Sequence, residues 1–177
     1  EEVGKNIRLL EMFGLPGLKN LNLYFKNIKQ KEFKNLTLIT KENISKIPYC
    51  PIIAGTSFLD QINSTNEQKE IKIENMGFPI LFLPFLSRAS EIIGKRIFVN
   101  IDDKDFLLNF NQSIYSNYFS GDILEKGNSI KIKFLENINS FTEKDWQELY
   151  KLSENTFVEE SEELKKSAAG AGLTDND

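Results

Sequence analysis

The sequence predicts an α+β fold, with an N-terminal helical hairpin, a central mixed or antiparallel sheet with hairpins, a C-terminal helix and a short flexible tail. Apolar residues recur at the 3.6-residue spacing of helices near both ends of the chain, whereas alternating β-prone runs lie between them. These runs follow one another without regularly intervening helices, which favours α+β over α/β architecture. The 177 residues, 40% apolar and 27% charged, suffice for one domain with a hydrophobic core.

Two helices are expected at the start of the chain. Val3, Ile7 and Leu10 lie on one face of a helix that should end near Phe13, before the glycine and proline residues that follow. Apolar residues at the same spacing predict a second helix over residues 18–33, antiparallel to the first. No Ser, Thr, Asp or Asn precedes the first helix as a cap, so we expect a further N-terminal segment that continues it upstream.

The next part of the chain contains predicted strands on either side of a helix. A β-prone run predicts a short strand over residues 36–40, and residues 41–46 are a polar connection. A helix begins at Pro51, since proline favours the first helical position. Residues 61–69 are rich in Asn, Ser and Thr and predict a loop. The alternating pattern of residues 69–74 predicts a half-exposed strand.

A helix and a hairpin are expected in the following segment. The helix should span residues 84–93 and end at Gly94, because glycine commonly terminates helices. Two β-rich runs, residues 96–101 and 106–110, flank a polar turn and predict a β-hairpin. Residues 129–134 alternate between apolar and polar side chains and predict another strand.

The C-terminal region is expected to be helical and to end in a tail. Thr142 begins the last long helix, with Asp145 three residues later in a variant of the capping box. A short acidic helix is expected over residues 159–166. Because we find no internal repeat and no linker signal, residues 1–166 are predicted to form one α+β domain, and residues 167–177 a flexible acidic tail.

Composition excludes several kinds of chemistry. The chain contains no histidine, which removes Ser-His-Asp and Cys-His catalysis and zinc sites built on imidazole. Neither a G-x-G-x-x-G fingerprint nor a phosphate-binding Walker loop occurs, and we expect no cofactor. A single cysteine excludes an internal disulfide and favours a reducing compartment, hence a cytoplasmic location.

Charge and hydropathy argue against two classes of partner. The net charge of −4 does not favour nucleic acid or an anionic membrane, and no apolar run is long enough to span a bilayer. We therefore expect neither nucleic acid nor a membrane as a partner. The basic stretch KNIKQKEFK resembles a nucleic-acid patch, but lysine is abundant throughout this chain, so a solvated helix face explains it better.

Two residues stand out as candidate ligand contacts. Cys50 precedes Pro51 and so lies near the positive end of a predicted helix, where backbone N–H groups can make a thiol reactive. The alternative is a buried small residue. Arg88 is one of three arginines in a lysine-rich chain, and its planar guanidinium can grip a carboxylate or phosphate. The alternative for Arg88 is an ion pair with Glu91 on a solvated helix face.

These residues predict a ligand site rather than a catalytic one. An apolar pocket is expected near residues 50–57 and Arg88, with Cys50, Ser57, Asp60 and Arg88 as its ligand contacts. Its ligand would be a small anionic metabolite or a protein partner, so the favoured function is that of an accessory or binding domain. The alternative is an enzyme without histidine that uses carboxylates and Cys50.

Carboxylates cluster at two places; either cluster could hold a hard cation weakly, but neither spacing is specific, and no metal site is predicted. Asp102, Asp103 and Asp105 lie in the predicted hairpin turn, where aspartate is preferred for local hydrogen bonding. Asp175 and Asp177 lack the glycine and the distal glutamate of a calcium loop.

Four stretches distributed along the chain carry a family resemblance. They are FGLPGL, CPIIAGTSFLD, FPILFLPFLSRAS and DWQELYKLSENTFVEESEELKKSAAGAGLTDND, and the ending GAGLTDND is the most specific piece. Together they resemble a proteobacterial family of unknown function over essentially the whole chain. The resemblance implies a bacterial, cytoplasmic protein with a further helical segment at the N-terminus. It brings no reaction, cofactor or catalytic residue.

The resemblance also bears on the tail. A flexible Gly-Ala arm with Asp175, Asn176 and Asp177 at its tip would dock onto a partner or fold back over a pocket of its own domain. Ordering such an arm costs entropy, so modest affinity is expected. The alternative is a free terminus.

Overall fold

The structure is a computed structural model that describes residues 2–138, 140–154 and 156. The chain divides into two compact units, residues 1–137 and residues 138–177.

The larger unit contains both helices and strands, which confirms the predicted α+β class. Its described helices are α1 (Glu2–Met12), α2 (Gly17–Asn27), α3 (Pro51–Asp60), α4 (Ile62–Thr65) and α5 (Leu83–Ile93). Its described strands are β1 (Glu42–Asn43), β2 (Glu70–Gly77), β3 (Arg96–Ile101), β4 (Lys104–Asn109), β5 (Ser113–Ser116) and β6 (Lys126–Leu135). A 3₁₀ turn, Pro79–Phe82, leads directly into α5.

The strands form one mixed sheet in the order β1-β2-β6-β3-β4-β5. β1 runs parallel to β2, and the other neighbours pair antiparallel. Buried and exposed side chains alternate along β6. Ile130 and Ile132 are buried, whereas Lys131 and Lys133 are exposed. One face of the sheet is therefore apolar and the other is polar, as is common for antiparallel sheets.

Helices cover the apolar face of the sheet. The core centres on Phe58 of α3, whose ring stacks on Phe134 of β6 at 6.3 Å between centroids and meets Phe82 edge-on at 5.9 Å. Gly55 allows α3 to approach α5 closely, because a side chain at this position would overlap the ring of Phe85. The close approach of α3 and α5 thus depends on the absence of a side chain at Gly55.

Local sequence signals located several elements correctly. α3 begins at Pro51, and α5 ends where Gly94 adopts a left-handed φ of 62°. β3 and β4 form the predicted hairpin. Both helix signals act within a few residues, because proline fixes φ at the first helical turn and glycine tolerates positive φ.

The prediction of a second helix over residues 18–33 was wrong in its extent, since α2 ends at Asn27. The chain beyond it turns back toward α3. The Lys34 N–H donates to the Pro48 carbonyl, and the Cys50 N–H donates to the Lys34 carbonyl. These bonds pair residue 34 with a distant segment, so its backbone groups cannot also serve an α-helix.

The strand predicted over residues 36–40 is not formed. Leu36 and Ile39 are buried, so their side chains pack in the core although the segment is not part of the sheet. The edge strand of the sheet is instead β1, which lies within the segment predicted as a polar connection. There Asn43 Nδ2 donates a hydrogen bond to the Lys72 carbonyl at 2.9 Å. Two short elements, α4 within the expected loop and the edge strand β5, were not predicted.

The smaller unit contains α6 (Glu143–Glu154) among its described residues. The predicted capping box is present, because the Thr142 N–H donates to Asp145 Oδ2 at 2.8 Å and the Asp145 N–H donates to Thr142 Oγ1 at 3.2 Å. Hydrogen bonds from Thr142 hold the pKa of the Asp145 carboxyl below its ordinary value. None of the helices in the described ranges combines the length and apolarity needed to cross a membrane.

Some expectations fall on other residues. The acidic helix over residues 159–166, the domain boundary at residue 166 and the tail of residues 167–177 lie outside the described residues.

Replacing Phe58 tests the core. Phe58→Ala should lower the free energy of unfolding by about 3–5 kcal/mol, because it leaves a cavity between the sheet and α3. Urea denaturation measures this change. Phe119→Ala is the matched control, since that ring is 87% exposed and its loss should matter by less than about 0.5 kcal/mol. Equal losses in the two variants would contradict this description of the core.

Candidate functional site

The larger unit carries a groove of about 500 Å³, which we call the apolar groove. It lies among α1, α2, the loop after α2 and the start of α3. Its apolar walls are formed by Val3, Leu21, Phe25, Ile28, Phe33, Ile52 and Ile53. Its polar lining residues are Tyr24, Lys31, Glu32, Asn35 and Cys50. This volume, and a largely apolar lining with a few polar groups, are typical of ligand pockets.

One wall of the apolar groove belongs to an exposed line of side chains, the α2 stripe. Leu18, Leu21, Phe25 and Ile28 follow one another at spacings of three, four and three residues, so they share one side of the helix. Leu18, Phe25 and Ile28 are 56%, 53% and 45% exposed. Helices of globular proteins normally bury such a stripe, but α2 buries the neighbouring side, which carries Tyr24.

Tyr24 and Cys50 form a buried polar pair that lines the groove. The phenol oxygen and the thiol sulfur lie 3.1 Å apart. Cys50 also caps α3, because its sulfur accepts a hydrogen bond from the Ile53 N–H at 3.5 Å. Cys50 is buried, in keeping with the second of the two interpretations given for it. Burial, reinforced by the contact with Cys50, raises the pKa of the Tyr24 phenol, so Tyr24 offers a neutral hydroxyl at physiological pH.

Aromatic rings pack around Tyr24. Its ring centroid lies 5.5 Å from that of Phe33 and 6.0 Å from that of Phe78. Phe33 sits on Gly77, where any side chain would overlap its ring. Phe78 adopts a left-handed φ of 46°, which is unusual for a bulky residue and costs on the order of 1–3 kcal/mol. Packing must hold such a residue in place, and residues of this kind cluster at binding sites.

The four residues predicted as ligand contacts do not line one cavity. Cys50 lines the apolar groove, whereas Arg88 lines a different cavity, between α1 and α5. Ser57 is half-buried and Asp60 is exposed, both later on α3, and neither lines these two cavities. The tail contacts proposed at residues 175–177 lie outside the described residues.

The cavity beside Arg88, which we call the α1–α5 cavity, has a volume of about 490 Å³ and a mixed lining. Lys5 and Arg88 contribute positive charge, and Glu91 contributes negative charge and accepts a hydrogen bond from Gln112 at 2.9 Å. Ser87 is fully buried, and its Oγ has no hydrogen-bond partner among the described residues. Leaving a buried hydroxyl unsatisfied costs on the order of 1–3 kcal/mol, so a hydroxyl of this kind calls for an explanation.

Tyr24 and Phe25 line the groove but were not among the residues predicted from the sequence, where their spacing indicated only a helix. The apolar residues of α2 taken together, the stripe with Leu23 and Tyr24, cover more than one side of the helix, but the sequence does not say which side is buried. Periodicity alone cannot distinguish a stripe that packs on the core from one that faces solvent.

Comparison with known proteins bears on this groove. A family model described as "Protein of unknown function (DUF3726)" matches residues 1–50, which is less than a third of the chain. All residues that line the apolar groove, apart from Ile52 and Ile53, lie in the matched segment. No curated protein and no solved structure matches the chain. The proteobacterial origin and the family character of the tail remain expectations.

A double-mutant cycle tests the contact between Phe33 and Gly77. Gly77→Ala should lower the free energy of unfolding by about 1–3 kcal/mol, because the added methyl group displaces the Phe33 ring. Gly77→Ala combined with Phe33→Ala should recover part of that loss, and urea denaturation of the four proteins gives the coupling. Gly4→Ala on α1 is the control, since a methyl group there contacts nothing within 4 Å. Strict additivity would show that Phe33 does not sit on Gly77.

Proposed function

We propose that the unit of residues 1–137 is a binding domain and that the apolar groove is its binding site. The observation that carries this proposal is the α2 stripe, in which three large apolar side chains are about half exposed beside a concave surface. Exposed apolar patches of this kind mark interaction sites, because covering them releases the cost of hydrating apolar surface. The strained Phe78, whose ring contacts the groove residue Tyr24, and the family match, which covers most of the groove lining, support the same location.

Binding is better supported than catalysis at this groove. Among its described lining residues, Glu32 is the one carboxylate, and Lys31 lies next to it in the chain. Tyr24 is held protonated by burial, and the Cys50 sulfur caps a helix. An enzyme that used carboxylates together with Cys50 would need several such groups around one reacting atom. Asp60, the carboxylate predicted near Cys50, does not line the groove.

A fluorescent apolar dye tests the groove. Anilinonaphthalene sulfonate should bind the full chain saturably, and Phe25→Ser should weaken binding by at least about tenfold, since burying a phenylalanine ring contributes about 1.5–3 kcal/mol. Phe110→Ser is a matched control, because Phe110 is 51% exposed and Phe25 is 53% exposed. Circular dichroism checks that both variants fold. Equal dye affinities of the two variants would contradict the proposal.

A second candidate function is the binding of a small anionic metabolite in the α1–α5 cavity. The unsatisfied Ser87 hydroxyl favours it, because an anion oxygen beside Ser87 would supply the missing acceptor. Lys5 and Arg88 line the same cavity with positively charged side chains, and Glu91 lines it with a negative one. Arginine and serine together are well suited to carboxylate or phosphate groups.

Melting temperatures in citrate and in inorganic phosphate test this second candidate. A bound anion should raise the melting temperature saturably. Ser87→Ala should weaken that binding roughly fivefold without lowering stability, because it removes a buried hydroxyl that has no partner in the described chain. Ser90→Ala is the control, since Ser90 Oγ donates to the Lys95 carbonyl and its loss should reduce stability but not anion affinity. No saturable rise with either anion would rule this candidate out.

A further inference from the structure

We infer that the occupant of the apolar groove is an acidic amphipathic helix of a partner protein. This inference depends on the proposed function, because it names the partner class for the same groove. It follows from the spacing of the α2 stripe, the charge of the surrounding segment and the concave shape of the site.

The spacing of the α2 stripe is typical of helices that pack against another helix. Leu18, Leu21, Phe25 and Ile28 repeat at three, four and three residues, which is the pattern of the apolar seam in paired helices. At a rise of 1.5 Å per residue the stripe is about 15 Å long, so it matches about three turns of an incoming helix. Ile52 and Ile53 at the start of α3 supply the opposite wall.

The charge around the stripe selects an acidic partner. The segment of residues 17–34 carries five lysines and one glutamate, a net charge of +4, within a chain whose net charge is −4. Its positive charges are Lys19, Lys26, Lys29, Lys31 and Lys34, all exposed. Glutamates flanking the apolar side of an incoming helix would meet these lysines, and complementary charge favours both encounter and specificity. A second copy of α2 would instead bring like charges together.

Shape distinguishes a partner helix from a lipid surface. A basic helix with exposed leucine, phenylalanine and isoleucine side chains also suits an anionic membrane. A membrane surface would cover the exposed stripe, but the apolar groove is concave and is also lined by the buried Tyr24 and Cys50. A helix can project side chains into such a groove and bury its apolar side there. The concavity therefore favours a helix.

Synthetic peptides test the inference directly on the full chain. The probe is a fluorescein-labelled amphipathic peptide of roughly 14 residues, about four helical turns, with leucines at the three-four spacing and glutamates beside them. A second peptide replaces the glutamates by lysines, and a third keeps the composition but scrambles the order. We expect saturable binding of the acidic peptide, at least tenfold weaker binding of the lysine peptide and no binding of the scrambled one.

Matched variants show where the peptide binds. Phe25→Ser should weaken the acidic peptide at least about tenfold. A charge-reversed variant carries Lys26→Glu, Lys29→Glu and Lys31→Glu, and it should prefer the lysine peptide to the acidic one. A control variant with the same net charge carries Lys41→Glu, Lys46→Glu and Lys131→Glu, and it should still prefer the acidic peptide. All six lysines are exposed, so both proteins should fold.

The outcomes separate this inference from the proposed function. If the dye binds in a way that depends on Phe25 but no peptide binds, the groove is a binding site and the acidic helix is the wrong occupant. Equal affinity for the acidic and lysine peptides also overturns the inference. Binding to phosphatidylglycerol vesicles that Phe25→Ser abolishes, without peptide binding, would replace the helix by a membrane. If neither the dye nor a peptide binds, the proposed function is contradicted as well.

Discussion

The pairing of β6 with two strands that lie far from it in the chain holds the larger unit together. β2 and β3 are not neighbours in the sheet, and β6 joins them by pairing antiparallel with both. This arrangement brings the apolar side chains of all three strands onto one face, where Phe58 and the helical layer cover them. Pairing over such distances costs loop-closure entropy, which the burial of the core beneath the sheet must offset.

Cys50 connects this core to the apolar groove. Its backbone N–H donates to the carbonyl of Lys34, its sulfur caps α3, and the same sulfur contacts the Tyr24 hydroxyl of α2. A helix of the core layer, the segment after α2 and the helix that bears the α2 stripe therefore meet at one residue. The shape of the groove is tied to the position of α3, and a groove held in this way would limit the entropy lost when the proposed partner binds.

The exposed α2 stripe is tolerable because stability is supplied elsewhere. The aromatic core around Phe58 and the buried isoleucines of the sheet remove a large apolar surface from water without the α2 stripe. The lysines of residues 17–34 are all exposed and keep the stripe in a strongly charged setting, which opposes self-association of the free protein. In the proposed function the same charges would make the groove selective, because they would repel basic partners while its apolar walls would attract an amphipathic one.

Sequence and structure agree where the physics is local. Pro51 and Gly94 marked helix ends, Thr142 and Asp145 formed the predicted cap, and alternation located the strands that are buried on one face. The errors have a common cause. Residues 33–40 were assigned from their own propensity, but their backbone groups and apolar side chains are used by distant segments. Propensity is a weak prior that tertiary contacts routinely override.

The candidate site shows the same division. The helix-start position of Cys50 followed from the proline beside it, but Arg88, predicted for the same pocket, lines a separate cavity. By itself the sequence determined the α+β class and the absence of imidazole chemistry, because hydrophobic periodicity and composition are properties of the chain alone. Only the tertiary structure decided which side of α2 is buried and which is exposed. That choice depends on how much apolar surface the sheet and α3 leave uncovered, and no local pattern records it.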